Sequence, residues 1–168
     1  MENITKFEKV SLKQFEEDLN KNQIVLTNIE EIYNKIELPK RATISSAGYD
    51  FKLPFDIEIK PNESIIIPTG IRVKMNDDLV LQIYPRSSLG FKYRMQLDNT
   101  VGIIDSDYYY ALNEGHIMIK VSNLSHEQKN IILKANEGFA QGLFIKYYKT
   151  VDDEVTSKRT GGFGSTNK

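Results

Sequence analysis

From Ala42 onward the chain is written in short β-branched runs broken by proline, asparagine and glycine. That rhythm restricts it to a protein of many short strands. In IEIKPNESIIIPTGIRVKM, apolar runs are separated by Pro61-Asn62 and by Pro68-Thr69-Gly70. LVLQIYP, YRMQL, VGII, HIMIKV, NIIL and FAQGLFIKYY follow. Within HIMIKV, Ile117, Ile119 and Val121 alternate with Met118 and Lys120, the period of a half-buried strand. Strands this short bury their apolar faces only against one another, so an all-β barrel or sandwich is expected.

The first 38 residues are written differently. Ser11 followed by Gln14 resembles a capping box, and it opens SLKQFEEDLNKN with Leu12, Phe15 and Leu19 at helical spacing. Thr27 and Glu30 repeat the signal before NIEEIYNKI, where Ile29, Ile32, Tyr33 and Ile36 share a face. Leu38-Pro39 ends the helical pattern. The closing KRTGGFGSTNK has no core pattern and reads as a mobile tail. The expected organisation is a helical N-terminal extension (1–40), a β domain (41–155) and a glycine-rich tail (156–168).

Composition removes several classes of function. The net charge of −1, with both signs mixed along the chain, lacks the basic face that a nucleic-acid polymer selects. It leaves room for a single nucleotide. The chain has no cysteine, so disulfides, thiolate nucleophiles and Cys-ligated zinc are ruled out. With only His116 and His126, a histidine-rich metal site is ruled out too, and both rings are expected at the surface. The N-terminus lacks the pattern of a signal peptide, and no apolar run approaches the ~18–20 residues of a membrane span. A cytoplasmic protein follows by elimination.

Four clusters carry residues suited to chemistry. SSAGYDF (45–51) combines small residues that allow close backbone approach with Asp50, or is simply a turn entering a strand. PRSSLGFK (85–92) places Arg86, Ser87, Ser88 and a glycine at a strand end, either a phosphate cradle or a plain strand exit. In LDNTVGIIDSDYY (97–109), the amide of Asn99 offers both a donor and an acceptor to a base edge. Asp105 there follows Gly102-Ile103-Ile104 at the edge of an apolar wall, a place for a water-orienting base. The alternative is a hairpin with acidic turn residues. GGFGSTNK (161–168) offers backbone N–H groups and hydroxyls to phosphate oxygens, but it is not a Walker loop. Phe163 is out of place in a polar tail, and an aromatic among glycines suits a lid over a base or sugar.

Taken in order, these clusters resemble the trimeric dUTPase family, with its five motifs in fixed sequence. AGYDF matches the first and PRSSLG the second; GIIDSDY (102–108) matches the third; FAQ (139–141) is a partial match to the fourth; GGFGST matches the fifth. The resemblance spans Ala47 to the C-terminus and looks closest to a subgroup found in Firmicutes and their phages, which carries NEGHI after the third motif. It implies a dUTPase-like β-barrel of jelly-roll type with a short helical N-terminal extension, and Mg2+-dependent hydrolysis of dUTP to dUMP and pyrophosphate.

Residue by residue, the resemblance makes Asp105 the activator of the attacking water and sets Tyr108 beneath the deoxyribose, barring a 2′-hydroxyl. Asn99, with the hairpin backbone around Gly102 and Ile104, would read uracil. Arg86, Ser87 and Ser88 would hold the phosphate chain. Asp50 and Gln141 would order the phosphates or the water shell of a magnesium ion held chiefly by the triphosphate. Phe163 would stack on uracil, and Gly164, Ser165 and Thr166 would wrap the outer phosphates. A homotrimer is implied, with sites shared between subunits and the tail crossing to a neighbour.

The chain departs from the family pattern in places. Gly138 stands where the fourth motif usually has arginine. The basic residue of the fifth motif falls on Arg159 or Lys158, with Arg159 preferred. YYALNEGH is a small insertion after DSDY, so its local hairpin should differ. A dCTP deaminase of the same fold would need a glutamate on the strand after the third motif, which HIMIKV lacks, and an arginine where Phe91 and Lys92 stand. A dUTPase that also serves as a nucleotide-responsive regulator is the other rival, contacting a protein partner through the N-terminal extension or residues 109–116.

Overall fold

The computed structural model describes residues 4–157 together with Arg159 and Gly161. The chain begins with a strand, β1 (Lys6–Lys9), and two helices, α1 (Leu12–Lys21) and α2 (Ile29–Lys35). Short strands then follow: β2 (Lys40–Arg41), β3 (Tyr49–Lys52), β4 (Ile57–Ile59), β5 (Ser64–Pro68), β6 (Ile71–Lys74) and β7 (Leu79–Pro85). Helix α3 (Ser87–Tyr93) leads into β8 (Met95–Leu97) and β9 (Gly102–Ile104), and a 3-10 turn spans Ser106–Tyr110. β10 (Met118–Asn123), β11 (Ile131–Leu133) and β12 (Gly138–Lys146) complete the set. The β-rich expectation for residues beyond 41 therefore holds.

Every strand pairing among the described residues is antiparallel. The largest sheet runs β2-β3-β12-β7-β9; β5-β10-β8 forms a second, and β1-β6 and β11-β4 are two-stranded. The β7–β12 ladder runs from Ala140 opposite Pro85 to Lys146 opposite Leu79. Alternation sets its inward face: Leu81 and Ile83 are buried while Gln82 and Tyr84 are not. Between the sheets, Phe51, Leu53, Ile67, Leu81, Ile83, Ile117, Ile131 and Phe139 form the centre of the core. Burying each such side chain contributes about 1.5–3 kcal/mol.

The N-terminal segment is only partly the helical extension its sequence predicts. Ser11 does cap α1, its hydroxyl accepting from Gln14 N at 3.1 Å. Phe15 and Leu19 are completely buried, as their spacing requires. The second cap falls on Asn28 rather than Thr27, with a left-handed backbone and no side-chain cap bond. Residues 6–9 form a strand where a helix was expected, and Phe7 sits opposite Val73 in that ladder. Phe7 earns a strand because it fits a slot among Tyr49, Phe51 and Phe144, with ring centroids 5.4–5.7 Å away. That tertiary contact outweighs the weak local preference.

Two further expectations are corrected. β8 and β9 do not pair with each other, so residues 98–101 are a corner between two sheets rather than a hairpin. His116 is completely buried, whereas His126 is exposed. No helix among the described residues is long and apolar enough to cross a membrane.

Candidate active site

The corner between β8 and β9 opens the sheets and leaves a cavity of about 290 Å3. Its walls come from Ile83 of β7, Leu97 of β8, Gly102–Ile104 of β9, and Met118 and Ile119 of β10. Asn99, Asp105, Tyr108 and Arg159 supply its polar groups. A few polar groups converging on an apolar concavity is the usual form of a small-molecule site. Thr100, with φ of 62°, turns the corner, and Val101 N donates to Asn99 O at 2.7 Å. Gly102 is required by close approach: a Cβ there would lie 3.0 Å from Ile83 Cβ and 3.9 Å from Asn99 Nδ2.

Asp105 follows β9, caps the 3-10 turn and stands at the rim with its side chain 52% exposed. Arg159 bridges two carboxylates, its Nη2 2.7 Å from Asp105 Oδ2 and its Nε 2.9 Å from Asp107 Oδ1. Its guanidinium also lies 5.7 Å from the centre of the Tyr108 ring. Tyr108 is buried; its hydroxyl donates to His116 O at 2.8 Å and accepts from Asn113 Nδ2 at 2.8 Å. Burial pushes the Tyr108 phenol above its ordinary value, so it stays protonated as a donor.

A second group of polar residues lies along β3, β12 and the exit of β7. Gln141 of β12 is in register with Asp50 of β3 on one side and Tyr84 of β7 on the other. A register shift between Gly138 and Ala140 precedes it. Arg86, Ser87 and Ser88 are exposed at the start of α3, and Arg86 N donates to Phe139 O at 3.0 Å. The Arg86 side chain lies across Gly138, with Nη1 3.4 Å from its carbonyl oxygen. A Cβ at 138 would stand 3.0 Å from that same nitrogen, so the glycine of the fourth motif leaves the space that the second-motif arginine fills.

The sequence matches the dUTPase family profile over residues 34–167. This chain belongs to the dUTPase family. A deoxyuridine 5'-triphosphate nucleotidohydrolase from Lactococcus lactis is 40% identical over 134 residues, 78% of this chain and 88% of that protein. The crystal structure of dUTPase from Streptococcus mutans is 33% identical with a TM-score of 0.65, covering 86% of this chain and 97% of that one. The dUTPase from phage phi11 of S. aureus shares the fold at 16% identity, with a TM-score of 0.62, covering 97% of this chain and 99% of that one.

Of the dUTPase motif residues, Asn99, Gly102, Ile104, Asp105, Tyr108 and Arg159 meet in one cavity. Asp50, Arg86, Ser87, Ser88 and Gln141 do not line it. Arg159 reaches the Asp105 of its own chain. Lys158, Phe163, Gly164, Ser165 and Thr166 lie outside the described residues. Sequence reasoning missed Asp107 as the second partner of Arg159, and Ile83, Leu97, Met118 and Ile119 as cavity wall. Alternation marks Ile83 and Ile119 as inward-facing and Met118 as outward-facing, but not that the sheets part there.

Proposed function

We propose that this protein hydrolyses dUTP to dUMP and pyrophosphate, with Asp105 activating the water that attacks the α-phosphorus. The observation that carries this reading is the single cavity containing Asn99, Asp105, Tyr108 and Arg159. Its size suits a pyrimidine and a sugar, with the phosphates at the rim beside the two charged groups. Asn99 and the backbone around Gly102 and Ile104 would read the uracil edge; a mismatched base would leave a polar group unpaired at about 1–3 kcal/mol. The Tyr108 ring would lie beneath the deoxyribose and bar a 2′-hydroxyl.

Arg159 has a part at both ends of the cycle. It forms ion pairs with both Asp105 and Asp107. The oxygens of an arriving triphosphate compete for that guanidinium. Its transfer to the phosphates frees Asp105 to accept a proton from water. Hydrolysis of a phosphoanhydride needs positioning and charge stabilisation more than a covalent nucleophile.

Asp50, Arg86, Ser87, Ser88 and Gln141 lie outside this cavity, so they would serve a neighbour's site in a homotrimer. Phe163, Gly164, Ser165 and Thr166 would close over base and phosphates. A magnesium ion would be held chiefly by the substrate's phosphate oxygens. Asp50 and Gln141, in register on adjacent strands, would contact its water shell. When bound, the ion would neutralise phosphate charge.

Pyrophosphate release from dUTP by the purified protein, beside Asp105→Asn, tests the reading. The variant should lose at least ~100-fold in rate, the scale for removing a positioned general base. Near-normal turnover would sink the assignment. No ammonia should be released from dCTP; its release would favour deamination instead.

A further inference from the structure

Behind Tyr108 runs a set of buried hydrogen bonds that hydrolysis itself does not use. His116, whose carbonyl oxygen accepts from the Tyr108 hydroxyl, has a ring with 0% exposure. The ring nitrogen Nε2 accepts from Gly70 N at 2.7 Å, and Nδ1 lies 2.6 Å from Asp18 Oδ2. A backbone N–H on Nε2 makes the imidazole neutral with its proton on Nδ1, donated to Asp18. Asp18 also accepts from Gln14 Nε2 at 2.9 Å. Gly70 has φ of +74°, and a Cβ there would stand 2.4 Å from Ile36 Cδ1. Phe15 of α1 would lie 3.6 Å from the same Cβ, so α1 and the residue just past α2 both pack against the residue that holds the ring.

The loop joining Tyr108 to His116 is tied to the N-terminal segment at two more places. The Tyr109 hydroxyl donates to Glu8 Oε2 at 2.6 Å. Glu114 accepts from Ser11 N at 2.7 Å and from Ser11 Oγ at 2.6 Å. A Cβ on Gly115 would lie 2.6 Å from Tyr108 O, so the loop is folded tightly onto the Tyr108 backbone. Well-packed apolar residues of similar shape often fill a buried space with no loss of stability compared with a buried ionisable pair. The polar pair therefore points to placement.

We propose that Asp18 and His116 are positioning residues, holding Tyr108 where its ring distinguishes deoxyribose from ribose. This rests on the reading of Tyr108 given above. The N-terminal helix thereby acts on sugar selectivity without touching substrate. A displacement of ~1 Å in a positioning group can cost ~100-fold, so a modest slackening is readable.

The test compares kcat and KM for dUTP and UTP in the full-length protein and in Asp18→Asn, Tyr108→Phe, their double variant, Tyr108→Ala and Leu19→Val. Asp18→Asn and Tyr108→Phe should each lower the dUTP-to-UTP ratio of kcat/KM about 10-fold, within the range for a slightly displaced positioning group. The change should fall on KM, since Asp105 is untouched. The double variant should be no worse than the poorer single one, because both act through one hydroxyl. Leu19→Val, a core change on the same helix, should lower the melting temperature and keep the ratio. The inference is overturned if Asp18→Asn keeps the wild-type ratio, if Leu19→Val lowers it equally, or if the two changes multiply. Tyr108→Ala separates the layers. An unchanged ratio there removes the role of Tyr108 and the inference with it; a collapsed ratio beside a normal Asp18→Asn removes the inference alone.

Discussion

At the scale of single residues, Asp105 and Asp107 share one arginine but differ in place. Asp105 lines the cavity and Asp107 does not. Asp107→Asn is therefore expected to cost less than ~10-fold in pyrophosphate release, against at least ~100-fold for Asp105→Asn. Equal losses would mean that the two carboxylates act only by holding Arg159. Gly102→Ala adds a methyl 3.0 Å from Ile83 Cβ. It should raise the KM for dUTP several-fold and cost about 1–3 kcal/mol of stability from overpacking, measured by denaturant unfolding.

At the scale of elements, the latch between the N-terminal segment and residues 109–116 has a pH signature. The Glu8 carboxyl is lowered from 4.5 to about 2, first by its hydrogen bond with Lys6 and then by that with Tyr109. A depressed carboxyl contributes stability that is complete above its ordinary value and is lost as pH falls through the folded one. Glu8→Gln should thus melt below the wild type at pH 7, with the gap narrowing from pH 4.5 towards about 2. A gap independent of pH would show that the carboxylate's charge is not what holds the latch. Phe15 is completely buried against Tyr33 and His116, with centroids 6.0 and 6.2 Å away. Phe15→Ala should cost about 3–5 kcal/mol.

At the scale of the whole molecule, the division of motif residues into two groups makes a testable demand. If sites are shared in a trimer, Asp105→Asn and Arg86→Ala subunits, each inactive alone, should regain pyrophosphate release when unfolded together and refolded as a mixture. Sedimentation should find three chains per particle. A mixture no better than its parts would place each site within one chain.

The β-rich class was legible in the amino-acid order alone, because short β-branched runs between Pro, Asn and Gly can satisfy their backbones in few other ways. That order also determined α1, since Ser11 and the spacing of Phe15 and Leu19 act within a few residues of each other. Asp105, Tyr108 and Arg159 were legible as motif members, but not as neighbours. That β8 and β9 part into different sheets emerged only with the fold, because pairing depends on partners far along the chain. The fold alone made residues 6–9 a strand, through the aromatic slot that receives Phe7. It alone buried His116, since a histidine beside an apolar strand reads as exposed until an aspartate 98 residues earlier and a backbone N–H arrive to satisfy both ring nitrogens. Local physics is written in adjacent letters; the burial of a polar group depends on partners that only folding brings within hydrogen-bond reach.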